Sequence, residues 1–287
     1  MDFKTAKELL ELCRRESLPI SEVMRRRETE EGGLARAEAE NRMQRALEIM
    51  RNAAARPIDH PVPSMGGLIG GEAQKLHRHA DQGACACGTL LSRAMMYAVA
   101  VLETNASMGL IVAAPTAGSA GVVPGVLLAL QDEHSLPDGR IVDALFNAGA
   151  VGYLAMRNAT VAGAVGGCQA EVGVAAAMAA SAAVELLGGK PQQCLSAAST
   201  VLANMLGLVC DPVGGLVEYP CQIRNASGVA NALAAAELAL SGVSALIPFD
   251  EMLDTMAAVG RRIPPELRET ALGGCAAAPS ACARCRR

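Results

Sequence analysis

The stretch "EVGVAAAMAASAAVELLGG" (residues 171–189) is built almost wholly from Ala, Val, Met and Leu, and it closes on Gly188-Gly189. Ala and Leu are strong helix formers, and a glycine just past the last turn is the commonest helix terminator. A helix that is apolar on every side must be buried among other helices. The flanking segments repeat the pattern. Helices are predicted over residues 139–159, over 192–210 after Pro191, over 226–242 ending at Gly242, and over 250–263 ahead of Pro264-Pro265. Nearer the N-terminus, "LARAEAENRMQRALEIMRNAAA" (34–55) has apolar residues at helical spacing and is predicted to end before Arg56-Pro57. Alternating strand patterns of useful length are absent. The expected fold is all-α: a compact multi-helix domain with a buried Ala/Gly-rich core, residues 1–287 forming a single unit.

Composition agrees with that reading. Of the 287 residues 51% are hydrophobic, but only 2% are aromatic and none is Trp, so the core must be made of small and aliphatic side chains. Charge is unevenly spread: 23 of residues 1–56 are charged, against thirteen in residues 100–230. The first part reads as charged amphipathic helices packing on an apolar core, beginning with "MDFKTAKELLELCRR" rather than a secretory signal. A net charge of −4 offers no basic surface for nucleic acid. The uncharged run from Thr104 to Gln131 is long enough to cross a membrane, but Pro115, Pro124 and "PTAGSAG" interrupt it. It is expected to be buried protein core, in a cytoplasmic protein with no membrane partner.

Ten cysteines in a chain without a secretory signal point to reduced thiols, used for packing, metal binding or nucleophilic chemistry. Cys168, Cys210 and Cys221 fall where helices are predicted to begin or end. Backbone N–H groups at such ends favour thiolates. Gly166, Gly167, Gly214 and Gly215 clear space nearby. Spacings of 42 and 11 residues match no short zinc signature. Cys13 and Cys194 sit on ordinary helix faces and read as packing. "CAC" (85–87) and "CARC" (282–285) would make a four-cysteine zinc site, but the first lies in an apparent helix and the second at the chain end.

The segments "APTAGSAGVVPGVL", "GAVGGCQAEVGVAAAMAA", "NMLGLVCDPVGGLVEYPCQIRNASG" and "IPPELRETALGG" strongly resemble, in order, the alpha chain of iron–sulfur-dependent L-serine dehydratases. The resemblance begins near "PSMGGLIGGEA" (63–73). It implies that Cys168, Cys210 and Cys221 hold a 4Fe–4S cluster, leaving one iron open to substrate, and that no pyridoxal phosphate is used. It implies deamination of L-serine to pyruvate and ammonia, the iron acting as a Lewis acid on the leaving hydroxyl. A cysteine desulfidase of the same superfamily, or a non-catalytic zinc-bound helical subunit, are the alternatives.

Beside that resemblance, Thr116, Gly118 and Ser119 of "PTAGSAG" are expected to bind the substrate's carboxylate or ammonium, the other reading being a plain connection between helices. "SMGGLIGGEAQK" (64–75) is a weaker loop of the same kind. Arg224 and Asn225 are candidate substrate contacts, since Arg clamps carboxylates, although a helix-start ion pair suits Arg224 equally. Glu171 either orients a group at the site or sits where a helix start favours negative charge. His60, His77, His79 and His134 include no evident general base. In the family a Ser-Ser-Ser-His-Thr-type motif lies on a second unit, which implies a beta subunit and a hetero-oligomer. Cys285 could act as a removable fourth ligand, as a C-terminal cysteine does in some single-chain relatives, or belong to a frayed end together with Cys275 and Cys282.

Overall fold

The computed structural model describes residues 1–83 and 85–285, without the Cys285 side chain. The described residues form helices α1 (Ala6–Glu16), α2 (Ile20–Glu30), α3 (Arg36–Asp59), α4 (Glu72–Asp81), α5 (Gly88–Ala106), α6 (Val122–His134) and α7 (Asp138–Asn158). A short α8 (Gly163–Gly166) follows, then α9 (Val174–Leu186), α10 (Pro191–Asn204), α11 (Cys221–Leu240), α12 (Phe249–Gly260) and α13 (Pro279–Cys285). No strand occurs among them, only an isolated parallel bridge between Cys210 and Arg268. The fold is all-α, as composition and periodicity predict.

Helix α9 is the centre. Every residue in it except Glu185 is buried, and it packs against α7, α10, α11 and α6. Such packing needs small side chains where helices cross. A Cβ at Gly121, which caps α6, would lie 2.3 Å from the Ala98 carbonyl of α5, and one at Gly125 within α6 would lie 2.8 Å from that of Ala94. The two backbones therefore touch only because both positions are glycine.

The charged N-terminal helices lie on this core, α2 against α7 and α3 against α5. A Thr5–Glu8 capping box starts α1, and Asp250 of α12 accepts the next free N–H groups, from Ala6 and Lys7, at 2.8 and 3.1 Å. Buried Arg25 of α2 is paired with Glu22 and with Asp143 of α7. A continuous cluster of buried apolar residues runs from Phe3 to Met256. No described helix is long and apolar enough to cross a membrane.

Several boundaries differ from the sequence expectation. Helix α3 continues through Pro57 to Asp59. Proline there removes the partner of the Ala53 carbonyl, and Thr104 Oγ1 replaces it, donating to that oxygen at 2.8 Å. Helix α10 ends at Asn204, so Cys210 is not at a helix end: Gly207 at φ 81 turns the chain, and the segment becomes extended toward Cys210. Helix α11 begins five residues earlier than predicted, at Cys221. "CAC" is not helical; Cys85 and Cys87 lie in the turn ahead of α5. The predicted start of the helix near Glu171 is a π-helical turn, Gln169–Gly173, running directly into α9.

Candidate metal centre

Three distant segments are cross-tied so that the Cys168, Cys210 and Cys221 thiols lie near enough for their charges to act on one another. Cys168 precedes the π-turn, and its neighbour Gln169 is the tie. Gln169 Nε2 donates to the carbonyls of Gly166 (2.9 Å) and Met256 (3.0 Å), and Oε1 accepts the Gly207 N–H (2.9 Å). The Gln169 N–H also donates to the Leu208 carbonyl at 2.9 Å, which places the turn against the segment leading to Cys210. Cys210 is then held by its bridge: its N–H donates to Leu267 O (2.9 Å), and its carbonyl accepts from Glu269 N–H (2.6 Å). Cys221 opens α11, and Asn225 one turn on donates from Nδ2 to the Cys221 carbonyl at 2.9 Å.

The thiols are buried, with 3, 4 and 9% of the residue exposed for Cys168, Cys210 and Cys221. Burial pushes the Cys168 and Cys221 thiols up to about 12, Glu171 adding to the first and Cys168 to the second. Burial likewise raises Cys210, reinforced by Glu171, Cys168, Glu269 and Cys221. Thiolates here would repel one another and need positive charge among them. Arg224 provides some, drawing Cys168 and Cys221 back down.

Glu171 joins the thiols to the "PTAGSAG" loop. Its Oε2 accepts from Cys210 Sγ at 3.5 Å, and its Oε1 accepts from Thr116 Oγ1 at 2.9 Å. Burial pushes its carboxyl up. Thr116 and Ser119 hydroxyls lie 3.1 Å apart across a single 3₁₀ turn, Ala117–Ser119. Asn225 fastens that turn to α11: Nδ2 donates to Gly118 O (2.8 Å), and Oδ1 accepts Gly121 N–H (3.1 Å). Asn225 is wholly buried with its amide committed to backbone groups, so it holds the loop in place. Arg224 donates from Nη1 to Asp211 Oδ1 (2.6 Å) and to Val209 O (2.9 Å).

Among the described residues no group of three or more His, Cys, Asp or Glu side chains is placed to hold a single metal ion. Three buried thiols with a cation beside them are a donor set that soft iron–sulfur chemistry can use. The buried Nε of Arg268 has no partner. Its backbone pairs with Cys210, and bridge partners project to the same side. Cys282 lies in α13, Cys275 just ahead of it, and the Cys285 side chain is outside the described residues.

A profile of the family described as "Serine dehydratase alpha chain" matches residues 15–276. The chain belongs to the serine dehydratase alpha chain family. All three converging cysteines lie inside the matched region, and Cys282 and Cys285 lie beyond it. Among curated members, the probable L-serine dehydratase alpha chain of Bacillus subtilis is 45% identical over 97% of this chain and 92% of its own length. The L-serine dehydratase alpha chain of Peptoniphilus asaccharolyticus is 41% identical over 96% and 94%. An L-serine dehydratase of Helicobacter pylori is 38% identical over 96% of this chain, which spans only 61% of that protein.

Some residues of the centre escape motif reading. Glu218 is 2% exposed and accepts Ser64 Oγ (2.7 Å), Gly66 N–H (2.6 Å) and Leu68 N–H (3.0 Å). Glu103 accepts the N–H groups of Gly71 (3.1 Å) and Ala73 (2.8 Å). The 64–75 loop is thus strapped down beside Cys221. Asp211 is 2% exposed as well. A usable signal existed: residues 100–230 carry only thirteen charges, and Glu103, Glu171, Asp211, Glu218 and Arg224 are five of them. A charge retained in so apolar a run must have a partner.

Proposed function

We propose that this chain is the catalytic alpha chain of an L-serine dehydratase, with a 4Fe–4S cluster held by Cys168, Cys210 and Cys221. The observation that carries the proposal is the convergence of three buried thiols from separate segments on Glu171, in a chain of this family. When bound, the cluster supplies a Lewis-acidic iron free of protein thiolate, which favours departure of the β-hydroxyl. Overall, L-serine loses water across Cα–Cβ, and hydrolysis of the imine tautomer gives pyruvate and ammonia, without pyridoxal phosphate.

The chain's own residues bind and orient. Arg224 has Nη1 committed to Asp211 and Val209, so its Nε and Nη2 donors are those suited to a substrate carboxylate. Thr116 donates to Glu171 and Gly118 lies beside the same carboxylate, while the Ser119 hydroxyl lies 3.1 Å from that of Thr116; this turn is assigned to the substrate's ammonium or carboxylate. Glu171 fixes the Thr116 hydroxyl and accepts from Cys210 Sγ, joining the loop to the thiols. All four histidines are exposed on other parts of the surface or on α4, and none is tied to this network. We infer that the general base, which no histidine of this network supplies, comes from a beta chain. The relatives named alpha chain support a beta partner, and the Helicobacter pylori protein extends well beyond this chain. A reducing cytoplasmic setting is part of the proposal, since free thiols must persist to take up iron.

The test is an anaerobic assay of the iron-loaded protein with its partner chain. Pyruvate from L-serine, with no sulfide from L-cysteine, is expected. Sulfide release at comparable kcat/KM would make the chain a desulfidase, and bound zinc with neither product would make it a structural subunit.

A further inference from the structure

The buried carboxylate next to Cys210 has both oxygens in use, and each serves a different part of the molecule. Asp211 Oδ1 accepts from Arg224 Nη1 at 2.6 Å, and Oδ2 accepts the Cys275 N–H at 2.6 Å. The second contact is tight. Gly274 sits at φ 60, and a Cβ there would lie 2.1 Å from Oδ2. Of the described residues from Thr270 onward only Ala276 is buried, so the C-terminal segment has few apolar anchors. We propose that Asp211 is a positioning residue for the reaction: it aims Arg224 beside Cys168, and does so jointly with the docked C-terminal segment. The proposal rests on the thiol-centred site described above and on Arg224 as its anion-holding group.

The chemistry requires a carboxylate. Arg224 Nη1 and the Cys275 amide are both donors, so the group between them must accept on both sides. Asparagine has the same shape but one acceptor. Whichever way its amide turns, an NH₂ faces either Arg224 or Cys275, and one arm of the link breaks. The half-buried guanidinium, then held at Nη1 by the Val209 carbonyl alone, turns toward other acceptors. The segment around Gly274 is accordingly a support of the site, although it lies 53 residues beyond Cys221 in the chain.

The test compares Asp211→Asn, Gly274→Ala and Arg224→Gln in the full chain, iron-loaded and with its partner chain. Asp211→Asn is expected to keep its iron and sulfide, to raise KM for L-serine about tenfold, and to change kcat by less than about threefold. Gly274→Ala, which pushes on the same oxygen from the other side, should reproduce that split. It also carries the test if the first variant fails to fold. Adding Asp211→Asn to Arg224→Gln should raise KM no further, because both act through one group. In the metal-free protein, hydrogen exchange of the Gly274–Cys275 amides should quicken in Asp211→Asn, a readout that does not depend on turnover.

If Arg224→Gln raises KM while Asp211→Asn and Gly274→Ala leave it unchanged, the positioning role is wrong and the site assignment stands. If Arg224→Gln itself leaves KM unchanged, the assignment of Arg224 is wrong. Loss of iron in Asp211→Asn and Gly274→Ala alike would make the link purely structural and overturn the inference.

Discussion

Replacing Cys168, Cys210 or Cys221 singly by alanine is expected to yield folded protein that binds no iron–sulfur cluster and forms pyruvate at least about a thousandfold more slowly. Two thiolates cannot hold a four-iron cube that already lacks a fourth protein thiolate. The fold should survive, because its weight lies in α9 and the helices around it, and each change removes one small side chain at the rim of that core. Cys13→Ala and Cys194→Ala are the controls. Both residues are buried, the first in α1 and the second in α10, and burial raises both thiols. They should keep full iron. Iron content by anaerobic analysis, with circular dichroism for the fold, separates these outcomes. Full iron in all three variants would refute the ligand assignment.

Gly163→Ala is expected to lower turnover about a hundredfold, since displacement of a site group by about 1 Å has effects of that size. A Cβ at this position would lie 2.4 Å from Glu171 Oε2 and 2.9 Å from Cys210 Sγ. Neither group can retreat easily. Glu171 is tied to Thr116, and Cys210 is clamped on both sides of its peptide by Leu267 and Glu269. The contrast is Gly173→Ala, in the same π-turn as Glu171, whose Cβ would meet Met205 at 3.7 Å and Leu202 at 3.9 Å, ordinary contact. It should retain most activity. Equal loss in both variants, measured as kcat with iron content alongside, would mean that the crowding at Gly163 is not what matters.

Much of the fold was legible because its signal is local. The Ala-rich run that forms α9 has to be helical and has to be buried, whatever surrounds it. Boundaries were less legible where a distant group intervenes. Pro57 sits inside α3 because Thr104, nearly fifty residues away, satisfies the carbonyl that the proline leaves free. Helix α10 stops short of Cys210 because Gln169 takes the Gly207 N–H and the segment pairs with Leu267 and Glu269. No periodicity contains those partners.

The centre shows the same division. The motifs around Cys168, Cys210 and Cys221 mark the thiols; Cys221 is the first residue of α11 and Cys168 precedes the π-turn, but burial outweighs the helix ends and raises both thiols. Cys210 is held by an extended bridge. The sequence places Asn225 beside the site, where a substrate contact is expected. Its full commitment to Gly118, Gly121 and Cys221 is not legible there, because those partners lie on two elements. Asp211 and Glu218 stood in quoted motifs without a role, and only the geometry gives them one.

The most direct measurement of the central claim is an iron-57 Mössbauer spectrum of the anaerobically loaded chain, recorded with its partner, before and after L-serine. About four irons with matching sulfide are predicted, one of them changing its signal when serine is added, as three thiolate ligands require. Zinc in place of iron, or an iron spectrum that serine leaves unchanged at every subsite, would contradict a three-thiolate centre on Cys168, Cys210 and Cys221.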